Sequence, residues 1–194
     1  MIRRTHIPLA LTALRALLAP VVVALALLWP RPWAFALCLV AAFLSDLFDG
    51  IVARRLGVAT PALRRLDSGA DSLFYVGALF AAWHLHPSVI AHHAVSLALL
   101  AALEVARYVL DLLKFGREAS YHMWSSKLGG LALFAGFLAL LVGGDDGVAV
   151  TAAIVLGIVA DLEGLAISCT LKTWKSDVPS IVHALRLRAD RLTG

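Results

Sequence analysis

Six apolar runs, at positions 7–28, 32–52, 66–84, 89–113, 128–143 and 148–171, fill most of this 194-residue chain. Short turns marked by charge, Pro or Gly separate them. A bilayer core takes about 20 apolar residues per helix, because every backbone amide must find its partner inside the segment. The pattern therefore predicts an all-α integral membrane bundle of six transmembrane helices, antiparallel where the turns are short. Composition agrees, with 61% hydrophobic residues, 15% charged residues and a mean hydropathy of +0.86. Soluble domains lie near ~45–50% apolar and ~25% charged. Cys38 and Cys169 both sit in apolar runs, which excludes a disulfide scaffold. The first run follows Arg3 and Arg4 as a signal peptide would, but it is longer than an ordinary h-region and carries Arg15, so it reads as a retained helix.

Charge sets the orientation. With the amino terminus in the cytoplasm, Arg3, Arg4, Arg54, Arg55, Arg64, Arg65, Lys114, Arg117, Lys127, Lys172, Lys175, Arg186, Arg188 and Arg191 fall on the inner side and only Arg31 outside, a split of 14 to 1. Both termini are then cytoplasmic in a multi-pass protein of the inner (cytoplasmic) membrane. Trp29, Trp33 and Trp83 mark outer helix ends and Trp124 and Trp174 inner ones, as an aromatic belt does. Residues 1–171 form the transmembrane domain. Residues 172–194 form a basic tail in which Ile181, Val182 and Leu185 interleave with Arg186, Arg188 and Arg191, a pattern suited to an interfacial helix. The net charge of +4 thus reads as membrane orientation, and no nucleic-acid module is present. Gly129, Gly136, Gly143, Gly157 and Gly164 recur at seven-residue spacing, as close helix packing requires.

Four carboxylates stand where lipid-facing residues are expected. Asp46 and Asp49 close the second run and Asp67 and Asp71 open the third, at spacings that put each pair on one helix face. With a short turn between antiparallel helices, the two pairs face each other. An intramembrane carboxylate costs at least ~2.5 kcal/mol on insertion scales, so four together need compensation. Ion pairing with Arg54, Arg64 and Arg65 is one answer. Two hard divalent cations are the better one, because four charges balance four and oxygen ligands suit Mg²⁺, Mn²⁺ or Ca²⁺. Such a pair of ions clamps a diphosphate during phosphoryl transfer. Gly50 and Ala53 beside the acids leave a notch for a phosphate or a flat base.

In this register the chain resembles the CDP-alcohol phosphatidyltransferases. Their signature maps onto Asp46, Asp49, Gly50, Ala53, Arg54, Asp67 and Asp71, with Leu63 where the family has glycine. Pro8, Thr12, Arg15 and Pro20 are similar to the family's opening helix. The resemblance implies that Asp46, Asp49, Asp67 and Asp71 hold two Mg²⁺ or Mn²⁺ ions and that Asp49, Gly50, Ala53 and Arg54 bind the nucleotide. It implies that Asp71 is the general base for a hydroxyl attacking the phosphorus of CDP-diacylglycerol, with CMP leaving. A homodimer with a cytoplasm-facing active site, acting in phospholipid biosynthesis among membrane lipids, follows from the same likeness. Leu63 alters the nucleotide pocket but not the metal ligands.

Family members with phosphorylated acceptors bind them through cationic residues, and Arg107 and Lys127 are the candidates here, glycerol 3-phosphate being the leading acceptor. Inositol phosphate, serine and other polar alcohols are alternatives. Glu104 or Asp111 are local partners for Arg107, and Asp161 is placed to pair with Arg107 or Lys127 or to bind an acceptor hydroxyl or amine. Asp161 and Glu163 fall on nearly opposite helix faces. His84, His86, His92 and His93 read as a solvated outer loop, since their spacing matches no compact zinc motif. A divalent-cation transporter is the rival function. It would carry polar groups across the whole membrane and in repeated halves, whereas the acids lie on one side and no repeat is present.

Overall fold

The structure, a computed structural model, describes residues 2–57 and 60–189, without the side chains of residues 2–5, 54, 61, 62 and 64. The side chains of Arg3, Arg4, Arg54 and Arg64, and all of Arg191, therefore lie outside the described residues. Helix boundaries follow local chemistry. Thr60 caps the third long helix by accepting a hydrogen bond from Leu63 N at 3.2 Å, and Pro61 follows at the first helical position, where its missing N–H costs nothing. That helix begins five residues before the apolar pattern does, because the cap, not hydrophobicity, decides its start. At His93 the fourth apolar run breaks, so that a short helix precedes a long one.

The described residues form eight α-helices: α1 (Ile2–Leu28), α2 (Pro32–Leu56), α3 (Pro61–Leu85), α4 (Pro87–His92), α5 (Ala94–Phe115), α6 (Trp124–Leu138), α7 (Val148–Thr170) and α8 (Ile181–Ala189). A π-helical turn, Ala139–Gly143, extends α6 and ends at Gly144 with φ 68°. There is no strand among the described residues, only an isolated bridge between Ser120 and Ser176. Four stretches, His6–Leu28, Pro32–Ala53, Trp124–Gly143 and Val148–Thr170, are long and apolar enough to cross a membrane. The chain is thus a multi-pass membrane protein. The other two expected spans correspond to α3 and α5, which have 25 and 22 residues but more charge than the four apolar stretches.

The chain divides into two compact units. In the first, Met1–Ile90 with Phe137–Asp145, α1 packs along both α2 and α3, which touch each other sparsely. Small residues permit the approach: Ala19 and Ala26 on α1, Ala34 and Ala42 on α2, and Ala78, Ala81 and Ala82 on α3 are buried. A Cβ on Gly77 would lie 3.0 Å from the Ala19 carbonyl oxygen. Phe35, Leu39 and Phe74 fill the remaining space, while Leu17, Leu37 and Val76 point outward, as lipid-facing side chains do.

In the second unit, Ala91–Gly136 with Asp146–Gly194, α7 packs on α5 and α8. Gly157 lies against Leu100 and Gly164 against the stem of Arg107, while Gly129 and Gly136 bring α6 onto α7. Lys114 donates to the Ser168 and Cys169 carbonyls at 2.7 and 3.0 Å, placing a cation on the carbonyl end of α7. Ser168 donates its one hydroxyl proton to buried Asp111 at 2.5 Å, so Tyr121, 2.8 Å away, must be the donor to Ser168. Burial pushes the Tyr121 phenol above its ordinary pKa and keeps it a neutral donor. Ala184 of α8 is buried in a cluster with Tyr121, Met123, Ile167, Leu171 and Val178.

Two glycines of α6 should respond oppositely to substitution. At Gly136 a Cβ would meet Ala153 Cβ at 2.9 Å, whereas at Gly130 nothing lies within 4 Å. Gly136→Val is expected to destabilise the protein by about 1–3 kcal/mol through overpacking. Gly130→Ala should stabilise it by about 0.5–1 kcal/mol through helix propensity. Unfolding in detergent micelles checks both.

Candidate active site

Helix α2 presents Asp46 and Asp49, three residues apart, and α3 presents Asp67 and Asp71, four apart, so each pair lies along one face. The sequence pattern suggests that the pairs face one another directly. Instead α1 lies against both helices, and the pairs converge on its Arg15. This arginine is 1% exposed, and its guanidinium reaches all four carboxylates. Nη1 donates to Asp46 at 3.1 Å and to Asp71, and Nη2 donates to Asp67 at 2.8 Å and to Asp49. Each terminal nitrogen thus bridges one carboxylate of α2 and one of α3.

The cluster is closed at one end and open at the other. The Asp49 side chain is 6% exposed, those of Asp67 and Asp71 are 30% and 33%, and that of Asp46 is 52%. Asp46, Asp49 and Asp67 each offer an oxygen within 4.8 Å of the others, a separation that one or two cations can bridge. The donor set is all oxygen, which fits Mg²⁺ or Mn²⁺, and the positions of Nη1 and Nη2 mark where positive charge is already held. Ala53, one turn beyond Asp49, is buried, and Gly50 is half-buried. The Arg54 side chain lies outside the described residues. Arg65 is exposed and Leu63 half-buried in the first turn of α3.

Arg15 is the residue that reasoning from the motif missed. Nearby Arg54, Arg64 and Arg65 drew attention as ion-pair partners, while the arginine that reaches the acids lies 31 to 56 residues away in sequence. A signal existed: an arginine in the middle of an apolar span needs an anionic partner.

In the second unit, Arg107 Nε lies 3.1 Å from Asp161, and Nη2 lies 3.9 Å from Glu104. Asp111, the alternative local partner, is instead held by Ser168. Lys127 is exposed, with its ammonium 5.0 Å from the Trp124 ring centroid. Glu163 points away from Asp161, accepting from Ser125 Oγ at 2.5 Å and from Ile181 N at 3.1 Å, which ties the start of α8 to α7. His92, His93 and Asp146 gather ligand atoms within 4.8 Å, a grouping invisible in the sequence because Asp146 is 53 residues from His93. His93 Nε2 and Asp146 form a hydrogen bond of 2.8 Å, so both are satisfied by each other.

Neither among curated proteins nor among solved structures is there a match to this chain. The family model CDP-alcohol phosphatidyltransferase, in contrast, matches residues 5–161, a stretch that contains α2, α3 and Arg15. That span is well over half of the 194 residues, and it decides between transporter and enzyme: the chain belongs to the CDP-alcohol phosphatidyltransferase family, enzymes that generally depend on a divalent metal.

Proposed function

We propose that this enzyme transfers a phosphatidyl group from CDP-diacylglycerol to a small polar alcohol, glycerol 3-phosphate first among them, and releases CMP. The observation that carries this reading is the convergence of four carboxylates from two helices on one centre, each half of which is bridged by a single nitrogen of Arg15. Asp46, Asp49, Asp67 and Asp71 would hold two divalent ions, Mg²⁺ or Mn²⁺. Bound there, these ions supply the positive charge that a diphosphate donor and its CMP leaving group require.

Asp71, one-third exposed at the open part of the cluster, takes the proton of the acceptor hydroxyl. The hydroxyl oxygen forms a bond to the phosphorus bearing diacylglycerol, and the phosphoanhydride bond to CMP breaks. Asp49, Gly50, Ala53 and Arg54 border the nucleotide, with the small side chains of Gly50 and Ala53 allowing it to approach α2. Arg107 and Lys127 bind the acceptor phosphate.

All six long helices cross the bilayer in this reading. Four do so on apolarity, and α3 and α5 follow because 25 and 22 residues at ~1.5 Å each span the hydrocarbon core. The basic residues then put both termini and the carboxylate cluster on the cytoplasmic side of the inner membrane, with 172–194 as a basic tail at that surface. The functional unit is a homodimer.

Purified protein in mixed micelles, given CDP-diacylglycerol, Mn²⁺ and a panel of alcohols, is expected to release CMP with glycerol 3-phosphate but not with glycerol. CMP release with neither this acceptor nor inositol phosphate would end the phosphorylated-acceptor assignment. Chelation with EDTA should abolish turnover, and Mg²⁺ or Mn²⁺ should restore it. Asp71→Asn should lower kcat by about 10²–10⁴, the range for loss of a general base, while the far-UV spectrum is unchanged. Lys127→Gln should raise KM for glycerol 3-phosphate about tenfold with little effect on kcat, as loss of one charge-assisted contact predicts.

A further inference from the structure

We infer that Arg15 is a built-in cation that fills the carboxylate cluster when no divalent ion is present and gives up that place when ions bind. It therefore opposes metal binding while it secures the empty enzyme. This inference rests on the metal reading above and concerns a residue that the signature motif does not include.

Geometry is the first support. Nη1 lies between Asp46 and Asp71, and Nη2 lies between Asp49 and Asp67. Both nitrogens thus lie among the carboxylate oxygens that would hold the ions. An Mg²⁺ ion needs oxygen ligands at about 2.0–2.1 Å, so a guanidinium nitrogen and a metal ion cannot occupy the same bridging position. Charge is the second support. Among the described residues, four carboxylates meet one guanidinium, an excess of three negative charges in a site where Asp49 is 6% exposed. Two divalent ions balance all four, and an arginine retained in their midst would then be a surplus positive charge among cations.

The third support is how Arg15 is held. Its Nε, although buried, has no hydrogen-bond partner, so the guanidinium is attached to the cluster through its terminal nitrogens alone. A buried donor without an acceptor costs free energy that leaving the cluster removes. The way out is on the Asp46 side, where the cluster is 52% exposed at that carboxylate. The fourth support is packing. Because α2 and α3 touch sparsely and each leans on α1, Arg15 is, among the described residues, the cation that meets the acids of both helices.

The test is Mn²⁺ binding to the full-length protein at pH 8 without lipid substrate, read from the free-ion paramagnetic resonance signal, together with melting in EDTA. Most residues beside a metal site weaken binding when they are replaced. Arg15→Met should do the reverse, tightening Mn²⁺ about tenfold or more while lowering the melting temperature in EDTA, since the competitor and the counter-ion are lost together. Arg15→Lys retains a charge but not the fork that spans both pairs, and should tighten binding by a smaller factor. It serves where Arg15→Met does not fold. Equal or weaker Mn²⁺ binding by the folded Arg15 variants, with binding by the wild type that Asp49→Asn removes, would overturn this inference and leave the metal reading intact. No Mn²⁺ binding by any of these proteins would overturn both.

Discussion

A charged group inside a membrane protein has to be answered by another, and here one guanidinium answers four carboxylates. Arg15 is almost wholly buried, and among the described residues its terminal nitrogens meet aspartates of α2 and α3. Removing Arg15 leaves the buried Asp49 carboxylate uncompensated, which is more costly than losing an exposed ion pair. The arrangement also explains why α1 occupies the middle of its unit. Its alanines and the glycine and alanines facing it on α3 allow backbones to approach closely enough for a side chain from one helix to reach acids on two others.

The second unit solves a related problem with neutral and singly paired groups. Asp111 is answered by a serine hydroxyl, which is answered by a tyrosine, and the ends of helices are closed by Lys114 and Glu163. Each of these side chains has a defined partner, as expected for a network whose task is to fix helix ends. In the aspartate cluster, by contrast, four carboxylates gather on one guanidinium, the largest excess of negative charge among the contacts described.

Much of this was legible in the residues. Long apolar runs gave α1, α2, α6 and α7 nearly to their ends, because lipid leaves little alternative to a helix. The spacing of the four aspartates predicted two paired faces, and the cost of an unpaired intramembrane acid called for a cation at Asp161, Arg107 or Lys127, of which Arg107 is the one found. What did not emerge was set by backbone chemistry or by long-range packing. Thr60 and Pro61 start α3 ahead of its apolar stripe, and His93 interrupts the fourth run. The π-helical turn at Ala139–Gly143 has no periodicity that a 3.6-residue pattern would reveal. Arg15 escaped notice as a partner because proximity in sequence favoured Arg54, Arg64 and Arg65, whereas helix packing favoured a residue of the first span.

The separation between Arg15 and its acids bears on how the chain is made. The aspartates it meets are 31, 34, 52 and 56 residues further along, so each is synthesised after it. At about 5–20 residues per second, roughly 3 to 11 s pass between synthesis of the arginine and of Asp71. Throughout that interval the nascent first helix carries a solitary cation, a cost of ~2.5–3.5 kcal/mol on insertion scales that its apolar length outweighs. The arrival of α2 and α3 removes that cost, so a span that enters the bilayer early is completed electrostatically only later.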